Sequence, residues 1–214
     1  MTNKSLADIR KDYSLRELSE EKIDSDPFTE FGIWMDEALE SQVNEPTAMT
    51  LSTAAADGRP SSRVVLLKGY DRDGFVFFTN YESRKGRELA ANPYAAINFF
   101  WPELERQVNI SGRTSKVSGE ESDEYFKSRP FTSRVGAWAS DQSEKIDSRA
   151  AIMSKAAKLL VKYAGGNVPR PPHWGGFRLA PDRFEFWQGR ESRLHDRICF
   201  ELNENSWMIS RLSP

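Results

Sequence analysis

Two Asp-Gly turns, Ala56-Asp57-Gly58-Arg59-Pro60 and Asp71-Arg72-Asp73-Gly74, divide stretches rich in apolar residues. Asp-Gly supplies the positive-φ positions that tight hairpins need, so this part of the chain is committed to antiparallel pairing. The segments 48–55, 62–69 and 75–80 therefore predict three short strands of a meander. Further strands are predicted at 94–101 and 106–117, and again over 175–212, with a hairpin around 202–206. Helices fall between them. Asp26-Pro27 is an N-cap followed by a first-turn proline, and Phe28, Phe31, Trp34, Met35, Ala38, Leu39 and Gln42 then recur at helical spacing. Ser83 caps a short helix to Ala91, and Ser118-Gly-Glu-Glu121 opens one that stops at Arg129 before Pro130. A longer helix is expected from Ser148 to Ala164, with Ile152, Met153, Ala156, Leu159, Leu160 and Tyr163 as its apolar stripe. Residues 3–12 suit a short polar helix, and 14–26 an irregular mobile link. The pattern predicts an antiparallel barrel or sandwich with peripheral helices. It lacks the βαβ rhythm, and no G-x-G-x-x-G or Walker sequence occurs.

Composition narrows the function classes. The chain has 214 residues, with 30 basic and 32 acidic side chains and a net charge of −2. That balance argues against binding a polyanion by bulk charge. It is uneven: residues 1–50 carry 5 basic and 12 acidic groups, and the rest of the chain is net positive. One cysteine and two histidines exclude a disulfide framework and make a multi-Cys or His-rich metal centre a poor fit, so no metal is expected. No apolar run is long enough for a membrane helix, and the first residues resemble no signal peptide. A soluble, cytoplasmic protein is expected, with no nucleic acid or membrane partner.

Four clusters of side chains carry candidate chemistry. In Arg63-Val64-Val65-Leu66-Leu67-Lys68, an extended strand sends Arg63 and Lys68 to opposite faces, to serve two anions or simply to reach solvent. Arg84 and Lys85 follow the Ser83 cap, where the helix dipole disfavours cations unless an anion is bound. Tyr125 and Arg129 share a helix face and Ser133 follows, a set of donors suited to phosphate or to ordinary surface bonding. In the segment from Trp187 to Arg197, an extended chain aligns Arg193, His195 and Arg197 on one face. Arginines beside the imidazole favour its neutral form. Cys199 is expected in the core. No catalytic triad or carboxylate pair stands out, which suits chemistry carried by a bound organic cofactor.

These residues resemble the pyridoxamine 5′-phosphate oxidase (pyridoxine 5′-phosphate oxidase) family, FMN-dependent split-barrel enzymes. The likeness runs from Ile9-Arg10-Lys11-Asp12-Tyr13 to Arg211-Leu212-Ser213-Pro214. Its strongest blocks are RVVLLKGYDRDGFVFFTNYESRKGREL (63–89), ERQVNISG (105–112), YFKSRP (125–130), WGGFR (174–178) and FEFWQGRESRLHDR (184–197). The resemblance implies an antiparallel split β-barrel over 26–214, preceded by a mobile lid over 1–25, and a homodimer with FMN at the subunit interface. Implied FMN contacts are Arg63, Val64, Val65, Leu66, Leu67, Lys68, Phe78, Thr79, Arg84, Lys85 and Gln107, with Gln142, Ser143, Trp187 and Arg197 from the partner subunit. Implied substrate contacts are Lys68, Tyr125, Arg129 and Ser133 at the phosphate, Arg193, Leu194 and His195 at the ring, and Arg10 and Tyr13 on the lid. Arg193 and His195 are the implied catalytic pair, His195 as a positioning group rather than an obligatory base.

The implied reaction oxidises the 4′ carbon of pyridoxine or pyridoxamine 5′-phosphate to give pyridoxal 5′-phosphate, with O₂ reduced to hydrogen peroxide. Three rivals remain: an oxidase of a nonphosphorylated ring, as in the related phenazine-pathway enzymes; a flavin or B6 carrier without turnover; and a single-strand nucleic-acid barrel. Retention of Lys68, Tyr125, Arg129 and Ser133 as a set favours a phosphorylated substrate. Arg134 departs from the family pattern, which has glutamine in many members, and the acidic stretch 17–30 matches no motif.

Overall fold

The structure is a computed structural model that describes residues 13–214; the helix expected over 3–12, and Arg10, lie outside the described residues. Five helices and nine strands follow one another: α1 (Pro27–Glu40), β1 (Ala48–Ala54), β2 (Pro60–Leu66), β3 (Gly69–Asp71), β4 (Gly74–Asn80), α2 (Arg84–Ala91), β5 (Tyr94–Trp101), β6 (Arg106–Lys116), α3 (Gly119–Ser128), α4 (Phe131–Ala139), α5 (Arg149–Lys162), β7 (Trp174–Gln188), β8 (Asp196–Asn203) and β9 (Ser206–Arg211). The strands form one sheet in the order β2-β1-β5-β6-β7-β4-β3, with β8 pairing β7 and β9 pairing β8. No helix among the described residues is long and apolar enough to cross a membrane. The described chain divides into two compact units, one of residues 13–49, 97–110 and 182–214, the other of 50–96 and 111–181.

The first unit is built on α1. Asp26 accepts the Phe28 amide, and Pro27 follows it as the first helical residue, as the sequence predicts. Phe31, Trp34, Met35 and Ala38 are buried, whereas Leu39 is 54% exposed. Phe31 packs on Phe99 of β5 at 5.1 Å, and Trp34 meets Phe186 of β7 edge-on at the same separation. The predicted hairpin joins β8 to β9, with Asn203 opposite Ser206. Cys199 is buried, as expected. Residues 13–23 form neither helix nor strand, in line with their charged, irregular sequence, yet Leu18 and Ile23 are buried.

In the second unit the expected three-strand meander is two hairpins instead. The first Asp-Gly turn joins β1 to β2, with Gly58 at φ 83°, and the second joins β3 to β4, with Gly74 at φ 130°. The strand expected over 62–69 breaks at Leu67, which turns into the core. Strand pairing resumes at Gly69, against Val76 of β4. A β-carbon on Gly74 would lie 2.0 Å from the Leu179 carbonyl oxygen, so this turn requires glycine for space as well as φ. Ser83 and Ser118 cap α2 and α3 through the Gly86 and Glu121 amides. Helix α4 escapes the sequence reading: Pro130 stands at its N-cap and makes no side-chain cap bond. Helix α5 begins as predicted at the Ser148 cap, but none of its residues is buried, and Met153 and Leu160 of its stripe are exposed.

Candidate active site

The second unit holds a cavity of about 770 Å³, in the range of small-molecule sites. Its floor is the β2 segment, with Arg63, Val64, Val65, Leu66 and Lys68 lining it; Leu67 is buried beneath. Arg63 and Lys68 thus face one cavity rather than opposite sides of a strand. The reason is the break at Leu67, which ends the period-two alternation before Lys68. Phe78 and Thr79 of β4 line it too, with Lys85 of α2, Tyr125 and Arg129 of α3, Ser133 of α4, Gln142 and Trp174. Gln142, expected from a second subunit, reaches the cavity of its own chain. Arg84, Leu67, Ser143 and Gln107 are not among the lining residues. Ser143 is exposed at φ 75°, and Gln107 lies on β6 in the first unit.

One end of the cavity is organised around cations. Lys85 is only 9% exposed, and its Nζ donates to Gln142 Oε1 at 2.8 Å, Thr79 Oγ1 at 3.1 Å and Ser83 Oγ at 3.4 Å. All three acceptors are neutral. Burial, with the Arg63 charge adding to it, pulls its pKa down to about 8. Arg63 Nη1 donates to Leu51 O and Thr53 Oγ1, and Nη2 to Ser61 Oγ and Glu88 Oε2. Arg84, 60% exposed, stands outside the lining, with Nε donating to Glu88 Oε1 at 2.8 Å.

The other end is aromatic. Phe78 stacks on Tyr125 at 4.0 Å and on Trp174 at 5.5 Å between centroids. The Arg129 guanidinium lies over the Trp174 ring at 4.7 Å. Its Nη1 is buried and has no hydrogen-bond partner among the described residues, and burial lowers the Arg129 pKa. An orphaned buried donor costs about 1–3 kcal/mol unless a ligand satisfies it. With Tyr125 and Ser133 on the same cavity wall, the group can take an oxyanion. Arg134 Nε is likewise buried without a partner, but Arg134 does not line the cavity.

The remaining predicted residues gather in the first unit. Trp187 and Arg197 are paired across β7 and β8. Tyr13 packs edge-on against Trp187 at 5.7 Å and against His195 at 5.8 Å. His195 Nδ1 accepts the Arg190 amide at 3.0 Å. Its pKa is lowered by burial and by Arg193, against the opposing pull of Asp196. A neutral ring with Nδ1 accepting carries its proton on Nε2, where it is a donor. The alignment of Arg193 with His195 and Arg197 along one strand face does not occur. Glu191–Arg193 is a 3-10 turn, with Ser192 and Arg193 at φ 54° and 62°, and β8 starts only at Asp196. Leu194 is exposed and lines a smaller cavity with Tyr13, Ser14 and Arg190.

Sequence reasoning missed the anions that hold these groups. Glu185 Oε1 accepts from Arg197 Nε at 2.8 Å. Glu105 Oε2 accepts the Ser14 and Leu15 amides at 2.9 and 3.1 Å. Parts of the acidic segment find work here: Glu17 pairs with Arg190 at 2.9 Å, and Glu20 takes Arg211 through both its oxygens. Of the missed groups, only Glu88 left a local trace, four residues after Arg84 on one helix.

The profile described as "Pyridoxamine 5'-phosphate oxidase" matches residues 35–163, and that of the "Pyridoxine 5'-phosphate oxidase C-terminal dimerisation region" matches 174–214. A "Pyridoxine/pyridoxamine 5'-phosphate oxidase" of Chromobacterium violaceum is 58% identical over 211 residues, covering 98% of this chain and 99% of that one. Its counterpart in Trichormus variabilis is 56% identical over 213 residues, covering 99% and 100%. Among solved structures, PhzG of Burkholderia lata in complex with tetrahydrophenazine-1-carboxylic acid superposes with TM-score 0.88 at 36% identity, covering 94% of this chain and 100% of that one. A pyridoxamine 5'-phosphate oxidase-related, FMN binding protein of Nostoc punctiforme superposes at TM-score 0.68 and 16% identity, covering 86% and 96%, a likeness of fold alone. The strands described above are thus those of a split β-barrel, and the chain belongs to the pyridoxamine 5′-phosphate oxidase family.

Proposed function

We propose that the chain is an FMN-dependent oxidase of pyridoxine and pyridoxamine 5′-phosphates, working as a homodimer in the cytoplasm. The observation that carries this reading is the buried Nη1 of Arg129, without a partner among the described residues, in a cavity that also holds a buried ammonium, Lys85, whose hydrogen bonds to described residues all go to neutral oxygens. Two anion sites in one cavity suit two phosphorylated ligands, one a cofactor and one a substrate. The donor set fits FMN: Arg63 and Lys85, with Arg84 close by through Glu88, would hold its phosphate, and Val64, Val65, Leu66, Phe78 and Thr79 would flank the rest. When bound, FMN would supply the two-electron acceptor for the substrate's 4′ carbon and pass the electrons to O₂, giving hydrogen peroxide.

The chain's own residues would bind and orient. Lys68, Tyr125, Arg129 and Ser133 would grip the substrate phosphate and fix the distance of the ring from that anchor. Trp187 and Arg197 of a second copy would complete the flavin site, and Arg193 and His195 would face the pyridine ring. His195 Nε2 would donate a hydrogen bond to the ring's polar substituents, since its Nδ1 is already occupied by the Arg190 amide. Tyr13, against Trp187 and His195, would exclude water from that face. For the alcohol the balance is substrate plus O₂ giving aldehyde plus hydrogen peroxide; for the amine one water enters and ammonia leaves.

The likeness to PhzG favours a second reading, oxidation of a nonphosphorylated ring acid. One experiment separates them: purify the protein with its flavin and supply pyridoxine 5′-phosphate and pyridoxine in parallel under air. Aldehyde and peroxide from the phosphorylated form alone support the first reading. Equal turnover of both forms removes the phosphate site, and absence of flavin removes the oxidase.

A further inference from the structure

We infer that Glu88 is a positioning residue for the phosphate end of the flavin, an inference that rests on the FMN reading of the cavity. Glu88 sits on α2 with its side chain only 7% exposed, yet it stays ionised, with its pKa held down at about 2. Burial alone would raise that pKa; the hydrogen bonds of Ser61, Thr53 and Arg84, together with the Arg84 charge, outweigh it. The carboxylate joins three elements. Oε2 accepts from Thr53 Oγ1 of β1 at 2.5 Å, from Ser61 Oγ of β2 at 2.6 Å and, more loosely, from Arg63 Nη2 at 3.4 Å. Oε1 accepts from Arg84 Nε.

The consequence lies in what remains free. Of the five N–H groups of the Arg63 guanidinium, four are spent on Leu51, Thr53, Ser61 and Glu88, so its plane is fixed before any ligand arrives. The two hydroxyls that share Arg63 are themselves oriented by Glu88, because each gives its only proton to the carboxylate and so presents lone pairs to the arginine. Arg84, tethered among the described residues by Nε, keeps both its terminal nitrogens available there. A buried carboxylate beside an anion site is unfavourable by charge, so its presence requires a compensating gain. That gain is preorganisation: two arginines held at set positions lose less freedom when they meet a phosphate.

The test uses apoprotein titrated with FMN and with riboflavin, which lacks the phosphate, followed by quenching of flavin fluorescence. Glu88→Ala is expected to weaken FMN binding tenfold or more while riboflavin binding changes less than twofold. FMN affinity that is unchanged or improved, or an equal loss for both flavins, overturns the inference. If Glu88→Ala does not fold, Glu88→Gln carries the same comparison. It keeps an acceptor toward Thr53, Ser61 and Arg63 but can turn its amide on Arg84 Nε, so about a threefold loss confined to FMN is expected. A wild-type protein with no preference for FMN over riboflavin would instead remove the phosphate reading of the cavity itself.

Discussion

Replacing Arg129 by alanine probes the proposed substrate phosphate site with two opposite readouts. In the free protein the guanidinium is half-buried over Trp174, with Nη1 unsatisfied. Alanine removes that orphaned donor, a gain of about 1–3 kcal/mol, and forfeits the cation–π contact, a loss of about 0.5–2 kcal/mol. The two nearly cancel, so the thermal midpoint of the free protein should move little. With substrate bound the balance changes. Hydrogen bonds to a charged partner contribute about 1.5–3 kcal/mol each, and losing one or two removes about 3 kcal/mol. At about 1.4 kcal/mol per factor of ten, kcat/KM for pyridoxine 5′-phosphate should fall more than about 100-fold. Turnover of pyridoxine, which has no phosphate, should keep its low value, and FMN should stay bound. Arg129→Lys should fall between, because an ammonium keeps the charge without the planar fork. Steady-state peroxide release with both substrates, with flavin fluorescence as a control, gives the answer. Equal losses for the two substrates, or flavin loss with an unchanged KM, would refute the assignment of Arg129.

Two other sites give sharp expectations. Lys85 has a folded pKa of about 8 against an ordinary value of 10.5, so between those values the unfolded chain binds the extra proton; stability of the flavin-free protein should rise across that interval and sit lowest below pH 8, and urea midpoints of Lys85→Met should lack this slope. FMN affinity should fall over the same interval as the ammonium is lost, and an FMN affinity flat from pH 7 to 10 would contradict the role given to Lys85. Glu105→Ala should release the Ser14 and Leu15 amides, raising their hydrogen exchange tenfold or more while amides in α2 keep theirs; unchanged protection at 14 and 15 would show that Glu105 does not hold them.

Legibility in the sequence followed the range of the interactions. Caps at Asp26, Ser83, Ser118 and Ser148 and the turns at Gly58 and Gly74 are local chemistry, and each lies where the residues put it. Helix α4 was hidden because its start is a proline with no capping side chain, and the helix is held by tertiary packing, with Val135 buried among Phe126, Val168 and Trp174. The break at Leu67 and the turn at Ser192 and Arg193 were hidden for a related reason: alternation predicts which face a residue takes only while the strand continues. Arg63, Lys68, Lys85, Tyr125, Arg129 and Ser133 were singled out by type, and they do converge on one cavity. Their counter-groups were not, since Glu88 is remote in sequence from Thr53 and Ser61, and the two hydroxyls are ordinary in isolation.

The paired glycines of β7 bear on how substrate size is chosen. Gly176 lies opposite Phe78, and a β-carbon there would sit 2.8 Å from that ring and 2.7 Å from Val117. A β-carbon on Gly175 would reach the Tyr81 hydroxyl at 2.1 Å. Phe78 stacks on both Tyr125 and Trp174, whose centroids are themselves 6.2 Å apart, and the Phe78 ring edge rests on the bare backbone of Gly176. A single methyl group added at Gly176 would force the Phe78 ring, which lines the cavity, out of its place. The width of the cavity at its aromatic end is therefore open to change through residues that do not line it, leaving Arg129 and Ser133 untouched.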